Sequence, residues 1–218
     1  MKPSSPQRIE VRILGCGSSG GVPRIGNDWG ACDPAEPKNR RTRCSALVRV
    51  FREDRDPTLI LIDTSPDMRE QLLAAQLRRL DAVLLTHEHA DQCHGLDDLR
   101  ALALIHRRRV PVYMDARTAS RVVPRFDYCF AGGEGYPAIV EARAIPEAGS
   151  PVVIEGQAGA VEVLPIEQDH GAIPSKGFRI GDFAYCNDVV RLPEAALDAL
   201  QGVRLLVVDA LRHTPHPT

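Results

Sequence analysis

Nothing in this 218-residue sequence approaches the roughly 20 consecutive apolar residues that a membrane-spanning helix requires; its apolar runs, such as Ala82–Leu85, are strand-sized. The first ten residues hold no apolar core followed by a small-residue cleavage site, so no secretory signal is read there. Lysine is nearly missing, with Lys2, Lys38 and Lys176 against 24 arginines. The 27 basic and 29 acidic residues leave a net charge of −2, so no overall positive field points to nucleic acid or an anionic membrane as partner. None of the six cysteines forms a Cys-x-x-Cys pair. Without an export signal they are expected as reduced thiols, and the protein as cytoplasmic. An apolar share of 44% and a charged share of 26% exclude a disordered, collagen-like or coiled-coil chain, and the length suits one sizeable domain.

What is present is an alternation of short apolar runs with helical patterns. Ile9–Leu14 alternates apolar and polar residues up to Gly15 and reads as a strand. Cys44–Phe51 and Thr58–Asp63, joined by the charged loop Arg52–Pro57, read as two more, and the three suggest an antiparallel meander. Ser65-Pro66-Asp67 predicts a helix start, with Ser as N-cap and Pro at the first helical position. Ala82–Thr86 is a continuous apolar strand of the kind buried on both faces. Leu96, Leu99, Leu102 and Ala103 mark a helix whose early Asp97 and Asp98 and late Arg107–Arg109 complement its dipole. Val110–Met114 reads as a strand and Ala116–Phe130 as a helix interrupted at Pro124. Val152–Glu155, Val161–Ile166 and Phe178–Tyr185 follow as strands, then a short helix Pro193–Leu200 and a last strand Val203–Asp209. Antiparallel strands mixed with crossover helices predict an α+β fold of two mixed sheets with helices on their outer faces.

The chemistry concentrates in Thr86-His87-Glu88-His89-Ala90-Asp91, directly after a buried strand and before a helix. In an extended loop, residues two apart project to the same side, so His87, His89 and Asp91 converge at the sheet edge. Two neutral imidazoles and a carboxylate suit zinc, manganese or iron. His170, in Glu167-Gln168-Asp169-His170-Gly171, and Asp188, in Tyr185-Cys186-Asn187-Asp188, each follow a later strand, where a site assembled from strand ends mounts its groups. Ser45 and the cysteines have no adjacent His placed for a nucleophile pair, so covalent catalysis is not expected.

Taken with Asp63 at the end of an earlier strand, the series His87-x-His89-x-Asp91, His170 and Asp188 resembles the signature of the metallo-β-lactamase superfamily. The opening Gly15-Cys16-Gly17-Ser18-Ser19-Gly20-Gly21-Val22-Pro23-Arg24, with Arg41-x-Arg43-Cys44-Ser45, is similar to the branch containing the PhnP phosphodiesterases. The resemblance implies an αββα sandwich with metals at one edge, residues 1–218 forming a single domain without the family's last strand and helix segment. It also implies hydrolysis of small cyclic or nucleotide-like phosphodiesters by a metal-activated water. By the same resemblance His87, His89 and His170 hold one metal, Asp91 belongs to a second and orients the attacking water, Asp188 bridges the two, and Asp63 braces the His loop. Ribonuclease Z enzymes are more distant relatives, so an RNA-processing nuclease is the alternative activity. A catalytically degenerate metal-binding protein is the alternative of another class.

Two departures from the family pattern bear on the metals. Gln92 stands where the family has a His of the second site, and an amide carbonyl is a weaker ligand than imidazole. His94 is a candidate substitute. The family's further His near the carboxyl terminus has only His213 or His216 to stand in for it. One tightly held zinc or manganese is expected, with a second site weak or empty. A structural zinc is not expected, because Cys32 alone occupies the region where the branch clusters cysteines. Gly15–Gly21 lacks a Walker lysine and reads either as a loop bordering the site or as a tight turn. Arg24 and Trp29 are candidate substrate contacts, Trp29 with packing under its loop as the plainer role; Arg40, Arg41 and Arg43 read as a solvated basic loop rather than a phosphate grip.

Overall fold

In Thr58–Ile62 every residue is buried, with Leu59 and Leu61 turned one way and Ile60 and Ile62 the other. A strand apolar on both faces needs a cover on each, and the computed structural model, which describes residues 8–146 and 150–210, supplies helices on one side and a second sheet on the other. The first sheet contains β1 (Arg8–Gly15), β2 (Ser45–Phe51), β3 (Thr58–Ile62), β4 (Ala82–Leu84), β5 (Val110–Met114) and β6 (Val140–Ala144), side by side in that order. Its first three strands pair antiparallel as a meander; from β3 to β6 the pairing is parallel. The second sheet is built from β7 (Val152–Gly156), β8 (Gly159–His170), β9 (Ile173–Ile180), β10 (Phe183–Cys186) and β11 (Leu205–Val208), antiparallel except for β10 and β11.

Three apolar layers follow from this alternation. Val48, Ile60, Ile62 and Leu84 of the first sheet meet Val161, Val163, Phe178 and Phe183 of the second. On its other face the first sheet packs Leu61 and Val83 against helices α1 (Met68–Ala74), α2 (Ala90–Cys93), α3 (Arg100–His106) and α4 (Ala116–Arg125). After the short α5 (Asp127–Phe130), α6 (Glu194–Ala199) covers the second sheet, setting Ala196 against Ile166, Ala184 and Cys186. The result is the αββα sandwich.

Local differences from the sequence reading have identifiable causes. The run Phe178–Tyr185 is two strands, because Gly181 adopts φ +58 and folds Phe183 back against Ile180. The edge strand β6 is absent from the sequence reading: Val-Glu-Ala-Arg-Ala does alternate apolar and charged residues, but two of its three apolar positions are alanines, which favour strands little. Helix α1 starts at Met68 rather than at Ser65-Pro66, and Asp67 uses its carboxylate to accept from the Arg43 N–H at 2.8 Å and to pair with the Arg43 guanidinium at 2.9 Å. Pro124 lies inside α4, which breaks at Phe126 two residues later. Among the described residues no helix is long and apolar enough to cross a membrane.

The glycine-rich opening is explained by its close approach to residues 41–43. Gly17 donates to the Thr42 carbonyl and Val22 to the Arg41 carbonyl, both at 2.8 Å, so the segment lies flat against the strand that leads into β2. A Cβ on Gly15 would stand 2.1 Å from the Arg43 carbonyl oxygen and 2.6 Å from Thr42 Oγ1, closer than any backbone tolerates. Gly15→Ala is therefore expected to destabilise the fold by about 2 kcal/mol or more. An unchanged thermal midpoint would refute the close-approach account.

Candidate metal centre

Strand ends from both sheets meet at one edge of the sandwich. β3 delivers Asp63, β4 the loop Thr86–His89 that enters α2, β8 His170, and β10 Asn187 and Asp188. Asp63 is fully buried at φ +62 and accepts from the Thr86 N–H at 2.8 Å and from the Thr86 hydroxyl at 3.0 and 3.1 Å. That hydroxyl also lies 3.0 Å from His87 Nδ1. With its single proton given to Asp63, Thr86 Oγ1 accepts from Nδ1–H, which leaves the lone pair of His87 on Nε2, facing the centre. Burial pushes the Asp63 carboxyl well above the usual range, against the pull of the Thr86 and Asn187 donors. The loop is held from two more directions. Lys176 N–H of β9 donates to the Thr86 carbonyl at 2.9 Å, and Arg125 of α4 donates to the Glu88 carbonyl at 2.9 Å.

His87, His89 and His170 converge. Their ring centroids are 4.6, 5.0 and 5.3 Å apart, and the facing ring nitrogens all lie within 4.8 Å of one another. His87 Nε2 and His89 Nδ1 approach to 2.9 Å, while His170 Nδ1 is buried with no hydrogen-bond partner among the described residues. Burial, reinforced by the other two rings, pushes His87 down to about 3; burial and His89 also lower His170. Both rings are thus neutral at physiological pH, the protonation state that binds metal. Neutral imidazoles turned on one another, one with an orphaned nitrogen, have the donor chemistry of a divalent zinc-type site. His89 is the exposed member, so the centre opens to solvent on its side.

Beside the triad lie three acids. Asp188, at φ +49, is raised to about 7 by burial and then by the charges of Asp91 and Asp209. Asp209, which follows β11, is itself raised by burial. Gln92, 1% exposed, extends between Asp91 and Asp188 and donates its side-chain amide to both. Cys44 stands in the field of Asp188, Asp63 and Asp91, and burial first of all pushes its thiol up to about 12, so it is no thiolate nucleophile.

The remaining sequence candidates are placed elsewhere. The exposed His94 packs its ring edge-on against Phe126, 5.7 Å between centroids, with Nε2 3.5 Å from Arg125 Nη1; it is held by α4 and does not join the triad. Arg24 is exposed in a turn closed by its backbone pairing with Asp28, and Trp29 donates Nε1–H to Asn27 within the same loop. His213 and His216 lie outside the described residues. Of the basic loop, Arg43 is committed to Asp67, and Arg41 to Asn39 and Cys32. Asn187 and Asp209 were not singled out by the sequence reading. The only signal for either was position: Asn187 precedes Asp188 in one loop, and Asp209 ends the strand lying parallel to β10.

Comparison with known proteins decides the family. The family model described as beta-lactamase superfamily domain matches residues 58–218. A solved structure of a diphosphatase from the PhnP family superposes with a TM-score of 0.82 at 35% identity, covering 97% of this chain and 78% of that one. The chain belongs to the metallo-β-lactamase superfamily, within its PhnP branch. An octanoyltransferase of Porphyromonas gingivalis is 34% identical over 209 residues, 94% of this chain but 40% of that protein. A ribonuclease Z of Phocaeicola vulgatus is 25% identical over 176 residues, 79% of this chain and 48% of that protein. The chain therefore spans less than half the length of either curated relative. In this metallo-β-lactamase sandwich the positions that the family resemblance gives to the first metal are the three His that meet. The position given to a second-site His carries Gln92.

Proposed function

We propose that this domain is a metal-dependent hydrolase of small phosphodiesters, cyclic or nucleotide-like. The observation that carries the reading is the meeting of three imidazoles, two of them kept neutral by burial, beside the carboxylates of Asp91 and Asp188 at the sandwich edge of a PhnP-branch protein. His87, His89 and His170 would hold zinc or manganese. When bound, the ion supplies positive charge that acidifies an adjacent water to a pKa of about 7 and polarises a phosphoryl oxygen. Asp91, on the first turn of α2, orients the attacking water by accepting its hydrogen bond. Asp63, through Thr86, keeps the His87 lone pair on the inward nitrogen. Asp188 adds a second acceptor, and the buried rings of His87 and His170 floor the site while the exposed His89 side admits substrate.

The test is turnover of bis-(p-nitrophenyl) phosphate and of a cyclic nucleotide by protein reloaded with zinc or manganese. Hydrolysis restored by metal and abolished by chelator is expected. Metal-loaded protein inert toward every phosphodiester offered would overturn the reading. A transfer-RNA precursor is included because of the ribonuclease Z relative, and preference for it would favour the nuclease; the net charge of −2 argues against that outcome, since phosphate contacts dominate RNA affinity.

A further inference from the structure

We propose that Gln92 takes the place of a second metal ion, so that this centre binds a single ion at the three histidines. The inference rests on the reading of the His triad as a metal site. Gln92 Nε2 donates to Asp91 Oδ2 at 3.1 Å and to Asp188 Oδ2 at 2.8 Å. The two amide protons thus satisfy the two carboxylate oxygens that a cation between them would otherwise satisfy. The amide's orientation follows from its surroundings. Gln92 Oε1 faces the Asn187 amide at 3.5 Å, and that amide also lies 3.4 Å from Asp188 Oδ2 and from Asp63 Oδ2. Flipping Gln92 would turn its carbonyl oxygen onto two carboxylates and set its NH2 against another NH2, leaving buried polar groups unpaired.

An ion cannot join this arrangement as it stands. An amide nitrogen has no lone pair to give a metal, so position 92 could ligate only through Oε1 after rotation inside a packed, 1% exposed site. Such a rotation would sacrifice the contacts to Asp91, Asp188 and Asn187 together. The contact with Asp188 joins α2 of the first sheet's helical layer to the end of β10 in the second sheet, so the Gln92 bridge also fastens the two halves of the site. Gln92 is thus a donor that closes the second position rather than a weak ligand that half-fills it.

The experiment is zinc content by elemental analysis after saturation and exhaustive dialysis, for the wild-type protein, Gln92→His and His89→Ala. Expected are about one zinc per chain in the wild type, about two in Gln92→His, whose imidazole is a ligand rather than a double donor, and loss of the retained zinc in His89→Ala. Two zinc ions per wild-type chain, or a folded Gln92→His that still holds one, would overturn the Gln92 proposal while leaving the triad reading intact. A wild type that retains none would overturn both. Should Gln92→His not fold, electron paramagnetic resonance of wild-type protein saturated with manganese decides. The hyperfine pattern of isolated ions supports the single-ion centre, and the signature of a spin-coupled pair refutes it.

Discussion

His89→Ala is expected to strip the protein of its metal and leave the apo fold unchanged. The side chain is exposed, so its removal opens no core cavity, and what the apo centre gives up is a hydrogen bond at its solvent side, His89 Nδ1–H to His87 Nε2 at 2.9 Å. The loss in affinity should exceed the ~10–100-fold that removal of a supporting hydrogen bond costs. A thermal readout separates this from misfolding. An ion at a free concentration about 100 times its Kd stabilises the wild type by about 2.7 kcal/mol, which in a domain of this size raises Tm by roughly 5–10 °C. In His89→Ala the apo midpoint should match the wild type and the zinc-dependent rise should vanish. A full rise in the variant would remove His89 from the centre. Serial elemental analysis of the same samples gives the direct count.

Asp63→Ala should act on stability and metal together. It deletes the acceptor of the Thr86 N–H and hydroxyl in a fully buried site, and orphaned buried donors cost about 1–3 kcal/mol each, so a loss of about 2–6 kcal/mol is expected. Asp63→Asn is the sharper probe. Its one side-chain oxygen can still accept from the Thr86 N–H, but the added NH2 donates toward Thr86 Oγ1, whose proton then points to His87 Nδ1. That reverses the chain of hydrogen bonds and favours a proton on Nε2, the nitrogen that faces the centre. Expected is a nearly native melting curve with zinc affinity down by about 10–100-fold, measured by competition with a chromophoric chelator. Equal affinity in wild type and Asp63→Asn would show that Asp63 supports the fold without setting the His87 tautomer.

The parts of the site that could be read in the sequence are those governed by local geometry. The His87-x-His89-x-Asp91 spacing is legible because residues two apart share a side in extended chain, and the strand–loop–helix context is carried by the apolar run before it and the helical period after it. Asp63 as a brace came from family resemblance, and its contact with Thr86 links the ends of neighbouring parallel strands β3 and β4. His94 shows the limit of such reasoning. Two residues beyond Gln92 it already sits in the turn after α2, where the chain has left extended geometry, and Phe126 and Arg125 capture its ring from a helix distant in sequence.

By itself the sequence determined the layered α+β architecture, the position of the paired His loop and the strand ends that carry His170 and Asp188, because alternation and helical period report which face of each element seeks apolar cover. Only the tertiary structure decided which nitrogen of His87 is free, that His170 meets it from the second sheet, and that Gln92 presents its protons rather than its oxygen to Asp91 and Asp188. The direction of an amide or a ring proton is set by the donors and acceptors that long-range packing brings around it, and no local pattern of residue types encodes those neighbours.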